Sequence, residues 1–347
     1  MKEGGFYRDK QVLVTGGASF IGSHLVDALV QSGALVRVID DFSSGLRENL
    51  HRSIEKIDLI DGDLREFNVC AQVTKSIDIV FHLANIHGGR GFIETHQAEI
   101  TQNLVIDGNM LRAGLENRID RFCYASSACV YPVSLQVSDA NLQERFLSEE
   151  MADPFVENRA LADGEYGWCK LMGEMSLSAY GRQFGMNGVS CRLFTVYGPR
   201  ENESHAIIAF IAKALIEQEP FEVWGTGKQD RNFTYVQDVI DGLLRSAQNI
   251  TDCRAVNIGT DEIIQVGDAA KTVCKVVGYK PNKFFFNKSK PEGVHSRAAS
   301  IENQKKWLKW HPQTAFIDGV RNTIEWYSRK IDIQDLKANL DYKLFER

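Results

Sequence analysis

Tyr166 and Lys170 stand four residues apart in Tyr166-Gly167-Trp168-Cys169-Lys170. On a helix that spacing puts the phenol and the ammonium on one face. A nearby ammonium lowers a phenol pKa towards working pH, which a general base needs. The pair alone is common on helix surfaces, so its meaning depends on what accompanies it. One companion is a serine pair, Ser126-Ser127, ending the apolar run Phe122–Ala125. The other is the turn Gly16-Gly17-Ala18-Ser19-Phe20-Ile21-Gly22, which follows Val12-Leu13-Val14 and opens a helical pattern. Gly16 permits a tight turn, and Gly22 lets helix and strand pack closely. The helix N-terminus then offers free N–H groups and a positive dipole end to a pyrophosphate. Ser19 stands where a middle glycine is usual. It narrows the approach, while its hydroxyl is available to a phosphate. Asp40, about 20 residues beyond the turn, has the place of the carboxylate that holds adenosine ribose hydroxyls.

These groups need a scaffold that brings them to one edge. Val12–Val14, Leu35–Ile39, Ile57–Ile60, Ile79–Ala84 and Phe122–Ser127 read as strands. Helical patterns separate them, over Arg65–Val73 and from about Glu94 to Glu116, the latter carrying Asn103. Such alternation predicts a Rossmann-type doubly wound parallel α/β sheet with helices on both faces. Asp63, after the third strand, either reaches an adenine amino group or caps the helix that follows. Gly88, Gly89 and Gly91 form a flexible loop at the carboxyl end of the fourth strand, where ligands bind in such sheets. Residues 133–165 are polar and acidic without a clean period, and read as a long excursion or lid.

Beyond Pro199 the alternation loosens. Ala206–Gln218 reads as an amphipathic helix and Phe221–Trp224 as a strand. The expected division is a dinucleotide-binding domain over 1–190, with a returning segment near 231–262. A smaller C-terminal α/β substrate-binding domain covers 191–230 and 263–330. The tail, 331–347, packs on the body, mediates assembly or frays.

Composition excludes several classes. A net charge of −6 argues against general nucleic-acid binding, though a few local arginines suffice for an anionic substrate. No apolar run reaches transmembrane length, and Met1-Lys2-Glu3-Gly4-Gly5 does not read as a signal peptide. Seven cysteines without CxxC or metal spacing point to reduced thiols, no metal site and a cytoplasmic location.

Taken together, the chain from Val12 to about Tyr327 resembles the extended short-chain dehydrogenase/reductases, the NAD-dependent epimerases and dehydratases of nucleotide sugars. Within that family it is most similar to the GDP-mannose 3,5-epimerase branch. The similar stretches are Gly88–Ile93, Tyr124–Pro132, Phe221–Gln229, Val256–Glu262 and Pro291–Val294. The resemblance implies a redox triad of Ser127, Tyr166 and Lys170. Tyr166 would take the proton of the sugar 4-hydroxyl, Ser127 would bond the same oxygen, and Lys170 would bind the nicotinamide ribose. Cys129 matches the branch's acid/base cysteine. His205 falls where the branch has its partner lysine, and histidine also does acid/base work near neutral pH. Two more departures are Thr195, where relatives carry asparagine, and the longer 133–165 segment.

The same resemblance implies cofactor contacts at Gly16, Ser19, Phe20, Ile21, Gly22, Asp40, Asp63, Leu64, Leu83 and Asn103, besides Tyr166 and Lys170. Substrate contacts fall at Gly88, Gly89, Arg90, Thr195, Lys213, Trp224, Gln229, Arg231 and Arg297. Arg231 and Arg297 would clamp a nucleotide diphosphate, or else form surface ion pairs. Trp224 lines a base pocket or fills the core. The implied cofactor is NAD, preferred over NADP because of Asp40. The implied reaction oxidises sugar C4, exchanges protons at C3 and C5 through Cys129 and His205, and returns the hydride. Other outcomes on this scaffold are 4-epimerisation, dehydration, decarboxylation or epimerisation at a single centre. A non-catalytic dinucleotide sensor would need only the cofactor half. Relatives pair two long helices per subunit, which implies a homodimer.

Overall fold

The computed structural model describes residues 5–136, 146–156 and 161–344. One parallel sheet holds β1 (Gln11–Thr15), β2 (Leu35–Asp40), β3 (Ile57–Asp61), β4 (Ile79–His82), β5 (Arg121–Ser127), β6 (Gly188–Leu193) and β7 (Asp252–Ile258). The order across the sheet is β3-β2-β1-β4-β5-β6-β7. β1 is therefore an interior strand, with Val12 in register with Val36 on one side and Ile79 on the other. The strand order reverses between β1 and β4, and the crevice at their carboxyl ends is where such sheets bind ligands.

Both faces of the sheet are covered, so inner strands such as β1 and β4 are apolar and buried almost throughout, while the edge strand β3 exposes Asp58 and Asp61. Val12 and Val14 pack with Leu25, Val26 and Leu29 of α1 (Phe20–Gln31). Leu13 points the other way, into a cluster with Met110 of α2 (Asn103–Glu116) and Leu177 of α3 (Gly164–Phe184). Leu13 and Leu25 are wholly buried. Each such side chain stabilises the fold by about 1.5–3 kcal/mol.

Three predicted helices differ from those observed. The helix expected from Glu94 to Glu116 is broken into Arg90–Thr95, Gln97–Ile100 and α2. Hydroxyls near the breaks bond carbonyls: Thr95 to Gly91 O, and Thr101 to Ala98 O. Such local bonds compete with the helical ladder. The helix expected from Arg65 starts at Phe67 instead. The one expected over Ala206–Gln218 is α4, Ala206–Leu215, closed by Glu217 in the left-handed region at φ 55°.

A second apolar cluster joins α4, the strand pair Phe221–Trp224 and Phe284–Asn287, helix Val266–Val277 and α5 (Phe316–Lys330). The last helix, Ile333–Lys343, is capped by the Asp332 carboxylate and buries Leu336 and Leu340 in that cluster. Of the three options for the tail, its described part packs on the body.

Much of the expected excursion, residues 137–145 and 157–160, lies outside the described residues. Its described middle is anchored. Phe146–Leu147 pairs with the strand Ser296–Ala299, and Arg192 donates to Glu149 O at 2.7 Å. Among the described residues, no helix is long and apolar enough to cross a membrane.

Candidate active site

A cleft of about 660 Å³ opens at the carboxyl ends of β1, β2, β4 and β5. At its floor the chain turns from β1 into α1. Gly16 sits at φ 67°, and a Cβ on Gly22 would lie 2.1 Å from Gly16 O, so only glycine allows this approach. Ser19, the residue before α1, donates its hydroxyl to Gly16 O at 2.6 Å and makes no cap bond to the helix. The first-turn N–H groups thus lack intrahelical acceptors beside the cleft-lining Phe20 and Ile21. Asp40 is buried at the end of β2, and its carboxylate accepts from Ala18 N at 2.8 Å and Phe42 N at 2.9 Å. A tight glycine cradle, free helix amides and a fixed carboxylate fit a dinucleotide.

Asp63, Leu64 and Leu83 also line the cleft. Asp63 accepts from the backbone N–H of Arg65 at 2.8 Å and from its guanidinium at 2.6 Å. Those hydrogen bonds lower its carboxyl pKa. It caps the turn ahead of the helix rather than the helix itself. Asn103 is wholly buried behind the cleft wall, where it accepts from Ile86 N at 2.7 Å and donates to Ile86 O at 3.0 Å. It fixes the strand-to-loop path by holding the backbone of the cleft-lining Ile86 from behind, and is not itself one of the lining residues.

β5 ends in Ser127, whose hydroxyl accepts from Cys129 N at 3.1 Å and also bonds the Tyr166 phenol. Ser127, Cys129 and Tyr166 share the cleft. Burial raises the Tyr166 pKa, Cys129 adds to the rise, and the Ser127 bond opposes it. The expected lowering by Lys170 is therefore corrected. Lys170 is itself buried, with its ammonium pKa pushed down by burial, and its Nζ donates to Ala125 O at 2.9 Å. Nζ lies 5.9 Å from the centre of the Tyr166 ring.

Three arginines crowd the same end of the cleft. Arg297 donates to Cys129 Sγ at 3.1 Å and to Asp163 at 2.7 Å, and Arg90 donates to Asp163 at 3.0 Å. Burial works against the Asp163 charge, but Arg297 and Arg90 outweigh it and its carboxyl pKa is lowered. Arg231 donates to Asp230 O at 2.8 Å. Burial, then repulsion from Arg297 and Arg90, lowers its pKa to about 9. Three guanidiniums gather around Asp163, and one of them, Arg90, is also paired with Glu94 at 2.7 Å; the remaining positive charge favours an anion. Neither Arg231 nor Arg297 is a surface ion pair.

His205 precedes α4 and reaches the cleft from a separate loop. A Cβ on Gly89 would lie 2.2 Å from Ser204 O, so glycine there lets the Gly88-Gly89 loop close on the His205 loop. This brings His87 between two partners: its ring centre is 5.6 Å from that of His205 and 4.9 Å from that of Tyr166. Burial pulls the His205 pKa down to about 4. Gly88, Gly89, Arg90 and Thr195 line the cleft as well.

Lys213, Trp224 and Gln229 lie outside this lining. Lys213 is buried, with Nζ 3.0 Å from Glu222 O. Trp224 Nε1 donates to the Glu222 carboxylate at 3.2 Å, and Gln229 Nε2 donates to Trp224 O at 3.2 Å. These three form a polar knot of their own around Glu222. Sequence reading missed Asp163, His87 and Glu201. Asp163 carried a signal as the residue before α3, and Glu201 one in its four-residue spacing from His205.

Comparison with known proteins bears on this geometry. The profile of the NAD dependent epimerase/dehydratase family matches residues 12–259. The chain is 32% identical to the GDP-mannose 3,5-epimerase of Arabidopsis thaliana over 340 residues, 95% of this chain and 85% of that protein. It is 28% identical to UDP-glucuronic acid decarboxylase 1 of Xenopus tropicalis, over 96% of this chain and 75% of that one. Among solved structures it is similar to the UDP-N-acetylglucosamine 4-epimerase from Methanobrevibacter ruminantium M1, in complex with UDP-N-acetylmuramic acid. There the TM-score is 0.79 and the identity 26%, covering 93% of this chain and all of the other.

Proposed function

The chain belongs to the NAD dependent epimerase/dehydratase family, and from that premise we propose that it epimerises a nucleotide-diphosphate sugar. The reaction runs through transient oxidation at C4, with proton exchange at C3 and C5 as in a GDP-mannose 3,5-epimerase. Bound NAD supplies the hydride acceptor for C4 and a cationic ring. Gly16, Ser19, Phe20, Ile21, Gly22 and Asp40 hold it, with Asp63, Leu64 and Leu83 along the adenosine side. Tyr166 takes the proton of the 4-hydroxyl while Ser127 bonds the same oxygen. The resulting ketone acidifies its neighbouring C–H bonds. Cys129 and His205 then move protons at those carbons. Arg90, Arg231 and Arg297 hold the diphosphate and the sugar.

The observation that carries this reading is the placement of Cys129. Its sulfur shares the cleft with Ser127 and Tyr166, is only partly exposed, and is held by Arg297 at 3.1 Å. A C4-only epimerase or a dinucleotide sensor has no use for a thiol held there. The low basicity of His205 favours a second reading, in which Cys129 alone exchanges a proton and one centre is inverted.

We infer that the enzyme is a homodimer. Leu104 and Val105 on α2, and Trp168 and Met172 on α3, leave an exposed apolar face on two adjoining helices. The cysteines are unpaired, in keeping with the reducing cytoplasm. The test of function is a panel of GDP-, UDP-, ADP- and dTDP-sugars incubated with enzyme and NAD in D₂O and read by NMR. Deuterium at C3 or C5 supports the reading. Turnover without exchange at either carbon contradicts it.

A further inference from the structure

The lysine expected by resemblance is a histidine here, and the structure gives that histidine a partner. Glu201 lies one helical turn before His205 in sequence, and its Oε1 is 3.3 Å from His205 Nδ1. Both residues line the cleft. The Glu201 side chain is 3% exposed, and its Oε2 has no hydrogen-bond partner among the described residues. Among the described residues, no arginine or lysine is paired with it. We propose that Glu201 and His205 form one proton relay, in which Glu201 is the positioning residue that orients the imidazole and supplies its proton. The proposal rests on the C3/C5 chemistry above.

The electrostatics agree with the geometry. Burial raises the Glu201 pKa well above the usual carboxyl range, against a backbone bond from Gly198. Burial lowers that of His205 to about 4. His205 also sits at the N-terminus of α4, where the helix dipole disfavours an imidazolium. In the proposed relay the resting pair is a neutral carboxylic acid whose Oε1, 3.3 Å from Nδ1, faces a neutral imidazole with its hydrogen on Nε2. When a ring carbon is protonated, the Nε2–H bond breaks and the C–H bond forms. The Glu201 O–H proton moves to Nδ1. The enolate charge ends on the Glu201 carboxylate, and no free imidazolium is needed. The reverse sequence removes a proton from carbon.

The test compares wild type, Glu201→Gln, Glu201→Asp, His205→Asn and the Glu201→Gln/His205→Asn double variant, with GDP-mannose as the first probe. Exchange is read per carbon by NMR in D₂O, 4-ketone formation by absorbance of the reduced cofactor, and NAD affinity by titration. Glu201→Gln keeps the shape but has no acidic proton. It should lose about 100-fold or more in exchange at the carbon affected by His205→Asn, and at that carbon only. Ketone formation and NAD affinity should stay near wild type, which a merely structural role would not predict. Glu201→Asp should recover part of the loss, and the double variant should be no worse than His205→Asn. Near wild-type exchange in Glu201→Gln beside a defective His205→Asn overturns the relay and leaves the wider reading standing. Wild-type exchange in His205→Asn overturns the two-carbon reading and the relay with it.

Discussion

Arg297 Nη1 lies 3.1 Å from Cys129 Sγ, and the same guanidinium bonds Asp163 at 2.7 Å. One arginine thus ties the thiol to the carboxylate that also holds Arg90. The arginine cluster and the thiol proposed to transfer protons are therefore one structure. In the proposed reaction, a substrate that draws Arg297 towards its phosphates would also act on the Cys129 sulfur.

Tyr166→Phe keeps the buried ring and removes the proton acceptor. It should lower turnover by about 10²–10⁴-fold, the usual worth of such a group, with NAD affinity nearly unchanged. Steady-state assay and NAD titration check this. Near wild-type turnover would reduce Tyr166 to a packing residue.

The fixed Asp40 carboxylate should repel a 2′-phosphate. NAD should bind at least about tenfold more tightly than NADP, a difference of about 1.4 kcal/mol. Asp40→Asn should narrow the gap. Calorimetry with both cofactors decides it, and equal binding by wild type removes Asp40 from the cofactor site.

These two predictions rest on residues legible in the sequence, because their signals are local. Gly16 to Gly22, Asp40 beyond them, and Tyr166 with Lys170 are short spacings on a strand, a turn or a helix. What the sequence hid depends on long-range approach. Asp163 meets Arg297 across 134 residues, and Arg297 meets Cys129 across 168. His87 meets His205 only because Gly89 lets two loops touch. The direction of the Tyr166 shift was hidden for a related reason. Spacing shows that Lys170 shares its face, but not that burial dominates or that Ala125 O takes the ammonium.

The apolar face of α2 and α3 gives an assembly prediction. Trp168 is 41% exposed on that face. Trp168→Glu should convert a dimer to a monomer at micromolar concentration, because a buried unpaired carboxylate opposes association. Sedimentation velocity reads the change. A wild-type monomer contradicts the assembly proposed.

His24 gives a stability prediction. Burial lowers its pKa to about 4, although its ring nitrogen Nε2 bonds Pro199 O at 2.9 Å. Its unfolded value is about 6.5. Between those values the unfolded chain binds more protons, so native stability falls as pH drops from about 6.5 to about 4 and levels off below. His24→Gln keeps a donor towards Pro199 O and should flatten this limb by on the order of 1–3 kcal/mol. Denaturant melts at pH 7 and pH 5 measure it. An unchanged slope in the variant would mean that His24 already titrates near 6.5 in the native state.

The most direct test of the account is position-specific deuterium exchange in Cys129→Ser. Serine preserves the shape beside Ser127 and Arg297 but is a far weaker acid than a thiol. With a nucleotide-sugar substrate and NAD in D₂O, the 4-ketone should still form and be seen as reduced cofactor. Exchange should vanish at one ring carbon and persist at the carbon served by His205. If Cys129→Ser exchanges at both carbons and turns over like wild type, the thiol takes no part in the chemistry and a C4-only reaction replaces the one proposed.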